Sequence, residues 1–178
     1  PVRNTSYNFL FERILSEKEK LFFATDYTNY HNTDDQDIKT TFSLPNSVPY
    51  RQTRFLTDNQ QGIELFTAQA DYTNENIGIE AGLKFGKVTA DSNLDFKDEI
   101  DGEFIQNLNR TSLFLYDESI FAGYTSYSKE IGKWSLKGGL RGEYTELLGN
   151  SVTTSEKNEQ HYFKLFPTFY ALFKPKDG

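Results

Sequence analysis

Between Trp134 and Thr145 the chain alternates without interruption. Trp134, Leu136, Gly138, Leu140, Gly142 and Tyr144 fall on one side; Ser135, Lys137, Gly139, Arg141, Glu143 and Thr145 fall on the other. Period 2 held over about a dozen residues describes a β-strand with one apolar and one charged face. Such a strand exceeds the five or six residues usual in a soluble domain. It is about what a tilted strand needs to cross a bilayer. The stretch Ser119–Gly149 therefore reads as two long strands joined by a tight turn at Glu130-Ile131-Gly132-Lys133.

Composition is compatible with that reading. A chain of 178 residues has the length of one domain, and 37% hydrophobic with 16% aromatic residues leaves no run of eighteen apolar positions for a transmembrane helix. A transmembrane barrel needs only alternate residues to face lipid, so its average stays hydrophilic. A net charge of −7 without a basic stripe argues against a nucleic-acid partner. With no cysteine there is neither a disulfide framework nor thiol chemistry. The chain begins Pro-Val-Arg and ends Lys-Pro-Lys-Asp-Gly, without methionine or signal peptide, and both ends read as cuts through a longer protein.

Taken in order, the chain predicts an all-β, antiparallel up-and-down meander of about seven long strands. Ser6–Leu15 and Leu21–Tyr30 read as a hairpin across Ser16–Lys20. A helix through Phe11–Phe23 competes, since Glu and Lys favour helix, but β-branched and aromatic residues dominate both flanks. Gly62–Tyr72 is a third strand, with Phe66, Ala68, Ala70 and Tyr72 on one face. Ile63 and Leu65 on the other face imply either a bulge or an uneven lumen. Ile77–Phe85 alternates cleanly after a turn at Thr73–Asn76. Ser112–Lys129, with an expected break near Asp117, then Lys133–Gly149 and His161–Lys174 complete the set. His31–Gln60, Val88–Ser112 and Asn150–Gln160 are polar and unpatterned, and read as long loops; a further short turn is expected from Pro175. Short turns alternating with long loops suit an outer-membrane barrel, and seven strands do not close one. Tyr27, Tyr30, Tyr72, Tyr127, Trp134, Tyr144 and Tyr162 are expected near strand ends, as an aromatic girdle. Pro167, mid-strand, implies a bulge or an exposed edge.

Several stretches resemble the barrel region of TonB-dependent receptors of the type abundant in Bacteroidota. They are Gly62-Ile63-Glu64 with Ala70-Asp71-Tyr72, Ala81–Phe85, Asn109-Arg110-Thr111 before Tyr116-Asp117-Glu118, Ala122–Tyr127, Gly139–Thr145 and Tyr162–Thr168. The resemblance runs from about Gly62 to Lys174. It implies that residues 1–178 are one segment of a larger, 22-stranded barrel in the outer membrane of a Gram-negative bacterium. It further implies a plug domain elsewhere in the parent chain, uptake of a nutrient or siderophore, and a ligand met by the outer loops Asn32–Asn59, Val88–Ser112 and Asn150–Gln160. The charged faces, with Glu80, Lys84, Lys137, Arg141 and Glu143, would then line the lumen or contact the plug.

Chemistry of other kinds finds little footing. Asp91-Ser92-Asn93-Leu94-Asp95 opens like a calcium loop, but Phe96 and Gly102 stand where an EF-hand needs Gly and Glu. A solvated loop is the simpler reading of this acidic run. His31 and His161 have no third ligand at a recognisable spacing. No serine sits in a nucleophile elbow, and Gly138-Gly139 lacks the strand-to-helix context of a phosphate loop. No catalytic, cofactor or metal residue is assigned, and no enzyme activity is expected. The expected partners are outer-membrane lipid, the plug and remaining strands of the parent, and a small ligand outside; the isolated piece should self-associate through its edges or apolar face. The competing reading is a soluble β-sandwich or small β-barrel binding a ligand such as a glycan, with the apolar faces packed inside.

Overall fold

The computed structural model describes residues 1–45 and 49–175. It contains eight strands: β1 (Val2–Ser16), β2 (Glu19–Ser43), β3 (Pro49–Asn74), β4 (Ile79–Ile100), β5 (Glu103–Gln106), β6 (Ser112–Ile131), β7 (Trp134–Ser151) and β8 (Glu156–Phe173). They form one antiparallel sheet in the order β1-β2-β3-β4-β6-β7-β8, with β5 attached to β4. The seven long strands make an up-and-down meander, an open segment of barrel wall. No residue among those described is helical, so the helix through Phe11–Phe23 is excluded.

The three expected loops are not loops. Within His31–Gln60, His31–Ser43 is the upper part of β2 and Pro49–Gln60 that of β3, paired from His31↔Gly62 to Ser43↔Pro49. Val88–Ser112 continues β4 to Ile100, turns at Asp101-Gly102 and returns as β5. Asn150–Gln160 holds the end of β7, a four-residue turn at 152–155 and the start of β8. The positive φ of Asp101 (53°) and Gly102 (85°) fits a two-residue hairpin turn whose twist matches the strands. Residues 176–178, where the turn after Pro175 was expected to continue, lie outside the described residues.

Register settles the remaining local expectations. The β3–β4, β4–β6, β6–β7 and β7–β8 ladders run without a shift. Ile63 and Leu65 therefore sit on the face opposite Phe66 with no bulge to put them there. The strand is also unbroken at Asp117, which pairs with Thr89 and Leu148. Pro167 pairs with Leu140 on β8, and the unshifted register there removes the expected bulge. The ladder does shift between Ile14 and Ser16, and at the tip between Phe42 and Ser43.

Directly opposed residues share a face, so the register sorts every side chain. One face carries Phe23, Ala70, Leu83, Gly123, Gly142 and Leu165 in a single row, with Phe85, Phe121, Tyr144 and Phe163 in the next. Here Leu83 is 68% and Phe121 51% exposed. The other face carries the buried residues Ala24, Ala122, Thr145 and Phe96. A face that crowds its side chains while its reverse splays them is the concave side of a curved sheet. The apolar face is thus convex and the polar face concave, the inverse of a soluble barrel.

Candidate functional site: a two-storey wall

The lower storey is a membrane-crossing band. On β7 the convex alternation runs from Trp134 to Tyr144, about 33 Å of strand. Tilted by roughly 40°, that is close to the 25 Å apolar height of an outer-membrane barrel. Aromatics border it: Tyr7 and Tyr27 stack at 6.5 Å near one margin, and Trp134 meets Phe173 at 4.9 Å near the other. Tyr72, Tyr127 and Tyr144 share this convex face. Tyr30 and Tyr162 do not, since their register puts them on the concave side. At the lower margin the girdle lies near strand ends, with Trp134 opening β7 and Tyr72 two residues from the end of β3; at the upper margin, with Tyr27 and Tyr144, the strands run on past it.

On the concave side of this storey the polar groups answer one another. Lys137 Nζ donates to Glu80 Oε2 at 2.7 Å, and Ser126 Oγ donates to the same carboxylate at 3.3 Å. Arg141 Nε donates to Glu143 at 2.5 Å. Asn8 donates to Asp26, which also accepts from Thr67 Oγ1 at 3.1 Å. Tyr124 reaches from β6 across β4 to Asp71 on β3, its hydroxyl 2.7 Å from Oδ1. It can do so only because residue 82 is glycine: a Cβ there would lie 2.6 Å from the Tyr124 ring. The expected charged face is therefore real and concave, and Lys84 belongs to it by register.

Above the band the faces exchange character without a bulge. Convex positions become polar: Glu64, Thr89, Asp117 and Glu159 with Leu148 in one row, then Asp35, Asp58 and Asp95 opposed in another. Apolar residues move inside. Leu65, Val88 and Leu147 share a concave row with Thr28, Glu118 and Gln160, and Tyr30, Ile63, Ala90 and Tyr116 share the next. Convex pairs tie the upper strands together. Arg54 grips Asp37 through Nε at 2.7 Å and Nη2 at 2.5 Å. The Arg54 hydrogen bond holds the Asp37 carboxyl below its ordinary range, and Lys97 does the same for Asp95.

Still higher on the concave side a strap closes over two rings. Phe55 and Phe96 stack at 4.9 Å, and Phe96 is the one large side chain among the buried residues, 4% exposed. The Arg110 guanidinium lies 3.5 Å from the Phe96 centroid and 5.3 Å from that of Phe55. Residues 107–111 are fixed in place by Asn107 N–H to Phe96 O at 2.7 Å, and by Phe96 N–H to Thr111 Oγ1 at 3.1 Å. Asn107 Nδ2 donates to Asp98 at 2.7 Å, with Arg110 3.7 Å from the same carboxylate. Asn109-Arg110-Thr111 is a point of family resemblance in the sequence, and nothing in its pattern signals a role in this strap.

The weaker candidates come apart. Asp91, Asn93 and Asp95 project from one face of an extended strand, not from a loop that could wrap a cation. Among the described residues no group of three His, Cys, Asp or Glu side chains could hold a metal ion. His31 and His161 stand on β2 and β8, with four long strands between them. Gly138 and Gly139 lie within β7.

A convex apolar band bordered by aromatics over a concave polar surface defines a stretch of transmembrane β-barrel wall. Consistently, the family described as outer membrane protein beta-barrel family matches residues 13–178, and the chain belongs to it. Its place is the outer membrane. Among solved structures it is similar to the unliganded ferric citrate transporter FecA, at 13% identity and a TM-score of 0.59. That match covers 99% of this chain and 25% of the transporter, so the chain spans about a quarter of that protein's length. At this identity the likeness concerns fold. No curated protein matches the chain.

Proposed function

We propose that this chain is part of the barrel wall of a TonB-dependent receptor that takes up a nutrient or siderophore, and that it has no enzymatic role. The observation that carries this is the distribution of polarity: Leu83 and Leu140, 68% and 47% exposed, lie on the convex side, with Glu80, Lys137 and Arg141 behind them. A soluble barrel would pack Leu83 and Leu140 at its centre. The similarity to a ferric citrate transporter supports a receptor in particular. On this reading the concave side is the lumen, where a plug of the parent chain would meet the paired charges. The upper hairpins stand outside the cell and take part in ligand capture, as paired strands where loops were expected. The test is to express the full-length parent, fractionate the cells, and compare uptake of a panel of ferric chelates and nutrients with and without TonB. Recovery in the outer membrane with TonB-dependent uptake is expected. Recovery in the aqueous fraction, or uptake indifferent to TonB, overturns the proposal.

A further inference from the structure

Lipid and lumen account for the two faces of β8, but not for its outer edge. In an antiparallel ladder, opposed pairs alternate between those that exchange both backbone bonds and those whose N–H and C=O point outward. Lys174 N–H donates to Lys133 O at 2.8 Å, one step beyond the pair Trp134↔Phe173, so Lys174 is of the bonding kind. The register along β8 is unshifted, and the count therefore runs in twos. Thr168 and Phe166 bond to β7, while Phe169, Pro167 and Leu165 turn outward. On the other side of β7, Val152 N–H donates to Leu113 O at 2.9 Å, the complementary parity. Proline thus stands where its missing N–H costs the β7–β8 ladder nothing. It also stands deep in the membrane band, opposite Leu140 and near the midpoint of the Trp134–Tyr144 alternation.

At that depth outward-turned backbone groups have to be met by another strand, since lipid offers them no partner. The seven long strands do not close a barrel, so β1 does not supply it. We infer that a further strand of the parent chain lines this edge and pairs with it on both sides of Pro167, its own carbonyl opposite the proline left without a donor. The wall then carries a one-bond gap in mid-bilayer. This outer seam of β8 is held at Leu165 and Phe169 and is locally weaker between them than the inner seams, whose strands carry no proline at that depth. The inference rests on the reading of the segment as part of a larger barrel wall, and adds where that wall has a built-in weak point.

The test is amide exchange in the full-length parent in detergent micelles, each rate divided by its intrinsic rate, for the wild type and Pro167→Ala. The substitution supplies the missing N–H as a reporter. The new amide at 167 should be protected to the level of Leu165 and Phe169. Protection of those two should itself rise about tenfold, the equivalent of one hydrogen bond, with Phe166 and Thr168 unchanged. An unprotected amide at 167 beside protected Leu165 and Phe169 overturns the inference, because the neighbouring strand then bulges away and no acceptor waits. Protection that fades as the protein is diluted to monomers also overturns it, by assigning the edge to a second copy. Leu165 and Phe169 exchanging at the free-peptide rate in the wild type would mean a bare edge, and the larger-barrel reading falls with the seam. Moving the proline by one residue, Pro167→Ala with Thr168→Pro, removes a bond to Gly139 and should cut the folded yield at least about tenfold. A yield equal to the wild type overturns the parity on which the seam depends.

Discussion

In the lower storey Leu83 stands 68% exposed on the convex side while Ala122 is buried on the concave one; in the upper storey the buried large side chain, Phe96, is concave and the convex face is mostly polar, with Asp, Glu, Lys and Thr among a few leucines. The same strands, in unbroken register, serve two solvents. Lipid rewards apolar groups pointing away from the barrel axis, and water rewards the reverse. The strap over Phe55 and Phe96 is what the upper strands use in place of a bilayer: a small covered core that supports polar ribbons. The difference teaches that alternation alone does not say which way a strand faces, and that its phase can change where the solvent changes.

Substitutions can break this contrast. Leu83→Arg should cost the full-length barrel up to about 4 kcal/mol near mid-bilayer, whereas Leu115→Arg, also convex but above the band, should cost little. Unfolding in denaturant with refolding into vesicles measures both, and equal costs would erase the two-storey division. Phe96→Ala should loosen the upper storey by about 3 kcal/mol, the low end for a buried ring because the sheet there is thin. Amide exchange should rise over residues 94–111 and stay unchanged in the band; a change spread over both would show that the storeys are not separable. Gly82→Val should displace the Tyr124 ring and abolish its bond to Asp71, a loss of about 2 kcal/mol. Tyr124→Ala should recover part of the stability of that variant's background, since it removes the ring that the new side chain meets.

The smallest effect concerns pH. Arg54 lowers the Asp37 carboxyl, so the bridge contributes above the ordinary carboxylate range and is lost as pH falls through the depressed value. Protection at Ile38 and Phe55, relative to the intrinsic exchange rate at each pH, should be unchanged between pH 7 and 5, and should fall only in stronger acid, below about pH 4. A fall already at pH 6 would assign the tip's order to some other group.

Against these tests the legibility of the chain can be judged. The band was readable because one face was apolar and the other was not; Trp134–Thr145 and Ile77–Phe85 needed no partner to identify them. His31–Gln60 was unreadable for a physical reason. Its apolar residues are sparse and divided between the faces, with Ile38, Phe42 and Phe55 concave and Leu56 convex, which alternation cannot pick out against Asp, Asn, Gln and Thr. Pairing, and not propensity, makes these residues strands. The Asp101-Gly102 hairpin was present as a sequence signal, but sat inside an acidic run that invited a loop reading. The wall of Ile63 and Leu65 was half visible, as an anomaly with two explanations, and only register could choose between them.

The uninterrupted ladders carry one mechanical implication. From Leu21 deep in the bilayer to Phe42 at the tip, β2 is bonded to β3 at every step. Such a ribbon behaves as a stiff lever: displacing its far end strains the transmembrane part before it bends in between. Bending of this part of the wall is therefore opposed along the whole length of the paired strands.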